Sequence, residues 1–260
     1  MIREAMTWDV APKCLTFPMD RIDIWRVCLV HCEQSEQDLC GILTLDEVAR
    51  AARFHFKEDR RRYTRGRAAL RILLGRYLET PPAEIRFQYE NHGKPEIALP
   101  HDSRDLRFNA SDSGELALIA VGSGSAIGVD IEKVRPLPDF LDIATRFFSP
   151  GEVQALLAAS ENKRQEAFFA CWTRKEAYLK ATGLGLLHSL SDFSVAVDPD
   201  EVAELYEVKG NRDVASHWFL TDVLPGEGFR GALACEGGRR RIAQWIFDPS
   251  CACHLDCPRI

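Results

Sequence analysis

Two stretches of equal length in this chain follow one pattern. Residues 43–78 have the sequence LTLDEVARAARFHFKEDRRRYTRGRAALRILLGRYL, and residues 148–183 have the sequence FSPGEVQALLAASENKRQEAFFACWTRKEAYLKATG. The two align without a gap when Glu47 is placed on Glu152. Each stretch predicts a long helix, followed by a turn and a short strand. The pattern therefore predicts an α+β fold of two similar halves, related by a pseudo-twofold axis, with a site in the cleft between them.

The predicted N-terminal half spans residues 1–104, the predicted C-terminal half spans residues 105–248, and a cysteine-rich tail spans residues 249–260. Within the second half, residues 116–121 and 127–134 form two apolar runs that are joined by a Gly-Ser linker. Two strand-like runs with such a linker predict a β-hairpin.

The composition is that of a globular protein. The chain has 260 residues, of which 46% are hydrophobic and 28% charged, so a sizeable core is available and a disordered or fibrous chain is excluded. The longest apolar run is far shorter than the roughly 20 residues of a membrane-spanning helix. The net charge of −6 argues against a nucleic-acid-binding protein.

The cysteines bear on the cellular compartment and on the tail. The chain has nine cysteines, an odd number, and its N-terminus shows no export signal, so we expect reduced thiols and a cytoplasmic protein. Two interpretations of the tail stay open, a zinc site or a frayed end with free thiols. The ligands available for zinc are Cys251, Cys253, His254 and Cys257.

Two acids alternate along one predicted strand, Gly128-Val129-Asp130-Ile131-Glu132. Because side chains alternate between the faces of a strand, Asp130 and Glu132 share one face, roughly 6.6 Å apart. Such oxygen donors suit Mg²⁺, which keeps further positions for phosphate and water. The alternative is a half-buried strand with a solvated acidic face.

A second group lies on the later helix. Trp172, Glu176 and Lys180 are spaced i, i+4 and i+8 and therefore form one stripe. The acid is placed to complete a metal site and the lysine to reach a phosphate. The alternative is an exposed Glu–Lys pair worth about 0.3 kcal/mol, which leaves the tryptophan unexplained.

The earlier helix is rich in arginine. Between residues 50 and 76 there are ten basic and two acidic residues, which gives a local charge of +8. Arginine forks suit phosphates, so a polyphosphate ligand or a nucleic acid would fit this helix. A solvated helix face that is paired with acids elsewhere would also account for it.

Three segments in this order and spacing are much more specific than any one of them. They are Phe108-Asn109-Ala110-Ser111, then residues 128–132, then Phe147-Phe148-Ser149-x-x-Glu152 followed by residues 172–180. This arrangement closely resembles the 4′-phosphopantetheinyl transferases of the monomeric, duplicated, surfactin-synthetase-activating type. The resemblance implies an enzyme that transfers 4′-phosphopantetheine from coenzyme A to a serine of an apo-carrier protein and releases 3′,5′-ADP. It also implies Mg²⁺, or alternatively Mn²⁺, as the metal.

The resemblance assigns three groups of site residues. The metal ligands are Asp130, Glu132 and Glu176. The residues that bind coenzyme A are Arg50, Lys94, Pro95, Ser111, Asp112, Asp130, Glu176 and Lys180. The residues at or near the reacting centre are Glu152, Trp172, Glu176 and Lys180. We hypothesise that Glu176 or Glu152 is the general base that takes the proton of the carrier serine.

One residue departs from the family pattern. The family usually has histidine after the serine, where this chain has Asp112, and a carboxylate there should repel the 3′-phosphate of coenzyme A. Asp112 then turns away, orders a nearby arginine or weakens coenzyme A binding. We expect an active enzyme in which the arginine-rich helix carries more of the phosphate contact.

The expected partners are apo-carrier proteins, with no nucleic acid and no membrane, and the expected state is a monomer. We hypothesise that Lys163, Arg164 and Arg174 dock an acidic helix of the carrier. One alternative is a non-catalytic coenzyme A or carrier-protein binding module, which only Asp112 favours. Another is a nucleic-acid-binding protein that uses the arginine-rich helix.

Overall fold

The structure is a computed structural model that describes residues 7–12, 14–30, 36–89, 93–98, 105–183, 185 and 189–248. The cysteine-rich tail, and with it the question of a zinc site, lies outside the described residues. Among the described helices, none has the length and apolar character that crossing a membrane requires.

The fold contains twelve strands and seven α-helices within the described residues. The strands are β1 Asp9–Val10, β2 Arg21–Cys28, β3 Phe87–Tyr89, β4 Pro95–Ile97, β5 Leu106–Ser113, β6 Leu116–Ser123, β7 Ile127–Lys133, β8 Phe193–Val195, β9 Leu205–Val208, β10 Trp218–Val223, β11 Phe229–Glu236 and β12 Arg241–Ile246. The helices are α1 Glu36–Cys40, α2 Leu45–Ala51, α3 Lys57–Leu78, α4 Phe140–Phe147, α5 Pro150–Ala158, α6 Glu161–Thr182 and α7 Arg212–Ser216.

Two main sheets carry the fold. The first has the order β1-β12-β2-β6-β5 and the second the order β10-β11-β7, and two short ribbons, β3-β4 and β8-β9, accompany them. The predicted hairpin of residues 116–121 and 127–134 is wrong. Both edges of β6 are already hydrogen-bonded, to β2 and β5, so β7 pairs with β11 in the other sheet.

The predicted duplication is confirmed by the order of the elements. Helices α3 and α6 both have 22 residues, and each ends at a residue in the left-handed conformation. Each is followed by a 3₁₀-helix and then a two-stranded ribbon. Because β5 and β6 pair within the sheet of β2, we propose that the boundary between the halves lies after β6, rather than between residues 104 and 105.

Each half buries one glutamate in the same way. Glu47 and Glu152 occupy the third position of α2 and α5, and each forms a capping box with the residue before its helix. Glu47 is paired with Arg71 of α3 at 2.6 Å, and Glu152 is paired with Lys175 of α6 at 2.6 Å. In both halves the buried charge pair therefore fixes a short helix against the following long helix.

The described cysteines fall into two groups. Cys28, Cys40, Cys171 and Cys235 are free thiols, as expected. Cys14 is disulfide-bonded, so the expectation of reduced thiols is wrong at this position. The spacing of cysteines along a chain does not show which of them fold within bonding distance.

Helix α6 lies directly on β7 because the strand has a glycine at the contact. A Cβ atom on Gly128 would be 2.2 Å from the carbonyl oxygen of Ala177 and 2.3 Å from the amide nitrogen of Ala181. No side chain fits this space, since real Cβ contacts are longer than 3.0 Å. Gly128 therefore sets the distance between the strand that carries Asp130 and the helix that carries Glu176.

We predict that Gly128→Ala lowers the free energy of unfolding by about 1–3 kcal/mol, because the helix backbone must move away from the strand. Urea unfolding measures the change. Gly151→Ala in α5 is the matched control, since a Cβ atom there meets nothing within 4 Å. The control should be as stable as the wild type or slightly more stable. Equal stability of the two variants would contradict the close approach.

Candidate active site

The two acids of β7 face strand β5, as the alternation predicted. Ser111 donates a hydrogen bond from its Oγ to Asp130 Oδ1 over 2.8 Å, and Ser113 donates one to Glu132 Oε2 over 2.9 Å. Val129 lies on the opposite face of the strand, in the core. The strand thus presents one apolar and one acidic face.

Side chains of β5 also join the two sheets. The Oδ1 atom of Asn109 accepts a hydrogen bond from the backbone N–H of Val129, and Ser113 Oγ accepts one from the N–H of Lys133. These side-chain bonds replace the backbone hydrogen bonds that a neighbouring strand would form along this edge of β7. They explain why Asn109 and the two serines stand at alternate positions of β5.

Helix α6 places its lysine over the same strands. Lys180 Nζ lies 2.6 Å from Asp130 Oδ1 and 2.7 Å from Ser111 Oγ. Glu176 is one turn earlier on the same face of the helix and is partly exposed. Residues from β5, β7 and α6 therefore meet at the junction of the two halves.

We call Asp130, Glu132 and Glu176 the acidic cluster. Its three carboxylates outnumber the ammonium group of Lys180, which contacts Asp130. Burial raises the pKa of Asp130, which Lys180 and Ser111 partly counteract. Burial first, and then the charge of Asp130, raises the pKa of Glu176; burial likewise raises the pKa of Glu132, where Ser113 opposes it and Asp130 adds to it. The cluster therefore lacks positive charge.

The cluster fits a hard divalent cation in its chemistry. The Oδ2 atom of Asp130 is buried and accepts no hydrogen bond in the structure, so one oxygen of the central acid remains available. Carboxylate oxygens are the ligands that Mg²⁺ takes, together with phosphate and water. Among the described residues, no three acidic, histidine or cysteine side chains are close enough together to hold a metal as they stand.

Asp112, the residue after Ser111 on β5, is influenced by Lys180, by Asp130 of the cluster and also by Arg62 of α3. Its side chain is exposed to solvent over part of its surface, and desolvation by neighbouring atoms raises its pKa. The charges of Lys180 and Arg62 oppose this rise, and that of Asp130 adds to it. Arg62 belongs to the arginine-rich helix α3, and the sequence did not single it out among the many arginines there.

The expected coenzyme A residues lie at several places. Lys94 Nζ donates to the carbonyl oxygens of Ile127 and Ala181, and so it bridges the start of β7 and the end of α6. Lys94 and Pro95 line a cavity of about 260 Å³. Arg50 is exposed, and its guanidinium lies over the ring of Tyr63 at 5.7 Å.

The structure places Glu152 and Trp172 in the neighbouring core. Both oxygens of Glu152 accept hydrogen bonds from Lys175 Nζ, and further bonds come from the backbone N–H groups of Ser149 and Val195. Each oxygen of Glu152 therefore accepts two hydrogen bonds, all from groups outside the acidic cluster. Trp172 packs against a group of three rings, Phe147, Phe148 and Phe168.

The hypothesised docking cations are already engaged. Arg174 is fully buried and pairs with Asp222 through two nitrogen atoms at 2.8 Å, so a role in docking is wrong for this residue. Lys163 pairs with Asp200 at 2.6 Å on the surface. Arg164 donates to carbonyl oxygens at the end of α5. Helical spacing alone did not show which of these cations are already paired or hydrogen-bonded within the protein.

Comparison with known proteins places the chain in a family. The family model described as the 4′-phosphopantetheinyl transferase superfamily matches residues 126–234. A model described as 4′-phosphopantetheinyl transferase, N-terminal, matches residues 32–123. The junction between the two matches lies after β6, where the sheets also divide.

Three curated relatives align with this chain over most of their own length. The 4′-phosphopantetheinyl transferase HetI of Nostoc is 41% identical over 89% of this chain and 94% of its own. A putative 4′-phosphopantetheinyl transferase of Synechocystis, slr0495, is 38% identical over 70% of this chain and 72% of its own. The 4′-phosphopantetheinyl transferase Sfp of Bacillus subtilis is 33% identical over 65% of this chain and 72% of its own.

The chain therefore belongs to the 4′-phosphopantetheinyl transferase superfamily. It is a transferase that attaches the phosphopantetheine group to carrier proteins.

We predict that Lys175→Met lowers the free energy of unfolding by about 3–5 kcal/mol, because it leaves Glu152 buried without its cation. The double variant Glu152→Gln/Lys175→Met should recover part of this loss, since no charge remains. Denaturant unfolding of the wild type and the variants measures both changes. If the double variant is less stable than Lys175→Met, the pairing argument fails.

We also predict that Glu176→Gln is more stable than the wild type at pH 8 without divalent metal. A folded-state pKa above the unfolded value means that the acid stabilises the fold at low pH, and that this contribution is lost as the pH rises through the folded pKa. Glutamine does not undergo this loss, so the difference should shrink as the pH falls toward the ordinary glutamate range.

Thermal unfolding between pH 4.5 and pH 8 tests this prediction. The control is Glu227→Gln, at an exposed position in the turn between β10 and β11. A Glu176→Gln variant that is less stable than the wild type at pH 8, or a difference that does not depend on pH, would argue against a raised pKa of Glu176.

Proposed function

We propose that the donor of the phosphopantetheine group is coenzyme A, that the acceptor is a serine hydroxyl of the carrier, and that the reaction depends on Mg²⁺, with Mn²⁺ as a substitute. The observation that carries the proposal is the cluster of Asp130, Glu132, Glu176 and Lys180 at the junction of the halves. The cluster has three carboxylates against one ammonium group, that of Lys180. One oxygen of Asp130 is buried and accepts no hydrogen bond.

In this proposal Asp130, Glu132 and Glu176 would hold the metal. When bound, the metal supplies positive charge against the pyrophosphate and aligns it. Lys180 adds a second cation, held over the strand by Asp130 and Ser111. The serine oxygen forms a bond to the β-phosphorus of coenzyme A, and the bond to the 3′,5′-ADP oxygen breaks.

Glu176 suits the role of general base better than Glu152. The carboxylate of Glu176 is partly exposed at the cluster, so a serine hydroxyl of a bound carrier has access to it. All the oxygens of Glu152 are engaged in the buried pair with Lys175. We therefore propose that the serine proton goes to Glu176, and that Glu152 positions α6.

The remaining site residues follow the same proposal. Lys94 and Pro95 line the cavity beyond the end of α6, where the adenosine end of coenzyme A would lie. Ser111 and Asp112 lie on β5 beside Lys180, with Arg62 as the cation that α3 contributes to Asp112. Arg50 keeps its proposed phosphate contact from an exposed position on α2. Trp172 stays in the proposal as an aromatic support next to the site.

We further propose a cytoplasmic monomer that binds neither nucleic acid nor membrane. In support, part of the charge of the arginine-rich helix is used inside the protein. Arg67 and Arg71 pair with Glu47, and Arg65 donates to the carbonyl oxygen of Leu29. Completion of the cleft by two halves of one chain requires no second copy.

An intact-mass assay tests the proposed reaction. The protein is mixed with coenzyme A, Mg²⁺ and a panel of apo-carrier proteins, and the gain of one phosphopantetheine group is followed. We predict that Asp130→Ala lowers the rate on the order of 100-fold or more, because several kcal/mol of charge stabilisation are lost. Full activity of the variant, or activity that is independent of divalent metal, would contradict the proposal.

We predict that Asp112→His tightens coenzyme A binding and leaves the enzyme active, because it removes a carboxylate that would face an incoming phosphate. Isothermal titration with coenzyme A measures the dissociation constant. Asp112→Asn separates loss of negative charge from gain of a hydrogen-bond donor ring. Unchanged affinity in both variants would mean that Asp112 does not repel the phosphate.

A further inference from the structure

A second, larger cavity lies in the C-terminal half and contains none of the acids of the cluster. Its volume is about 1230 Å³, and we call it the α5–β9 groove. One wall is formed by α5 and the start of α6, and the other by the ribbon β8-β9 and α7. Typical small-molecule pockets range from about 300 to 1,000 Å³, so this groove is large enough for a segment of polypeptide.

The groove exists because its walls carry small side chains. Gly151, Ala155 and Ala158 line it from α5, and Ser194 and Ser216 line it from the opposite side. A Cβ atom on Gly151 would meet nothing within 4 Å, so the space in front of the helix is open. A bound segment can therefore approach the backbone of α5 closely.

The charges along the groove are mainly negative. Its lining contains four carboxylates that lie outside the Glu152 pair, namely Asp198, Glu201, Glu204 and Glu207. Two cations also line it, Lys163 and Arg212, and Lys163 is already paired with Asp200. The field in the groove therefore favours a positively charged occupant.

Exposed apolar side chains accompany these acids. Tyr206 lines the groove and is 45% exposed, with Glu204 two residues before it in the chain. Leu157 of α5, Val214 of α7 and Val202 of the loop between β8 and β9 are also exposed. Exposed aromatic residues with a polar surround are typical of protein interaction surfaces.

We propose that the α5–β9 groove is a docking site for a protein segment that contains lysine or arginine together with an aromatic or aliphatic side chain. The acids bind the cations of the segment, and its apolar side chain packs on Tyr206 and the small residues of α5. The groove extends to Glu152, which is paired with Lys175 of α6. The bound segment therefore lies against the buried pair that fixes α6, and Lys175 directly precedes Glu176 in that helix.

Selection from a displayed library of ten-residue peptides tests this proposal with the full-length protein. We expect enrichment of peptides with lysine or arginine and an apolar residue. Fluorescence anisotropy with the most enriched peptide should give a dissociation constant that rises at least tenfold for Glu204→Lys/Glu207→Lys, and that also rises for Tyr206→Ala and with added salt. The charge-matched control, Asp20→Lys/Glu227→Lys, should bind like the wild type.

Phosphopantetheine transfer to an isolated carrier domain is measured for the same variants and should be unchanged, since none of these residues belongs to the acidic cluster. The proposal is overturned if no sequence is enriched, if the enriched peptides are neutral or acidic, or if the groove variants and the control bind equally. These results are independent of the donor and the metal of the transfer reaction, so either proposal can fail alone.

Discussion

The acidic cluster depends on the close contact between α6 and β7 at Gly128. This contact brings the acids of the strand and the acid of the helix to one place, where Lys180 touches only Asp130 among them. Burial disfavours the ionised forms of Asp130 and Glu176 and raises both pKa values, and the charge of Asp130 adds to the rise for Glu176. A helix held further from the strand would separate the groups that the proposed reaction uses.

The two halves use one structural device and differ at one aligned position. Each half buries a capping-box glutamate against a cation from the following long helix. The position of Arg71 in the first half corresponds to that of Glu176 in the second. Arg71 is buried in the pair with Glu47, whereas the second half uses Lys175 for its pair and leaves Glu176 partly exposed at the acidic cluster. The two halves thus share one arrangement of a short and a long helix, and the C-terminal half carries the acids of the cluster.

Sequence periodicity predicted what is local. The alternation along β7 placed Asp130 and Glu132 on one face, and the helical spacing placed Glu176 and Lys180 together, as the structure shows. Periodicity did not identify partners that are distant along the chain. The engagement of Glu152 by Lys175 and the pairing of β7 with β11 both depend on tertiary packing. The sequence also did not show that Arg62 lies near Asp112, because the neighbouring positions of α3 hold many arginines with similar surroundings in the chain.

Calorimetric titration of the free protein with MgCl₂ at mildly acidic pH, in two buffers of different ionisation enthalpy, tests whether the carboxylates at the α6–β7 contact bind a cation. We predict that Mg²⁺ binds and that the protein releases protons on binding, because acids with raised pKa values must ionise to act as ligands. We also predict that Asp130→Asn binds Mg²⁺ much more weakly. Equal Mg²⁺ binding by the wild type and the variant, without proton release, would show that these carboxylates do not form a metal site.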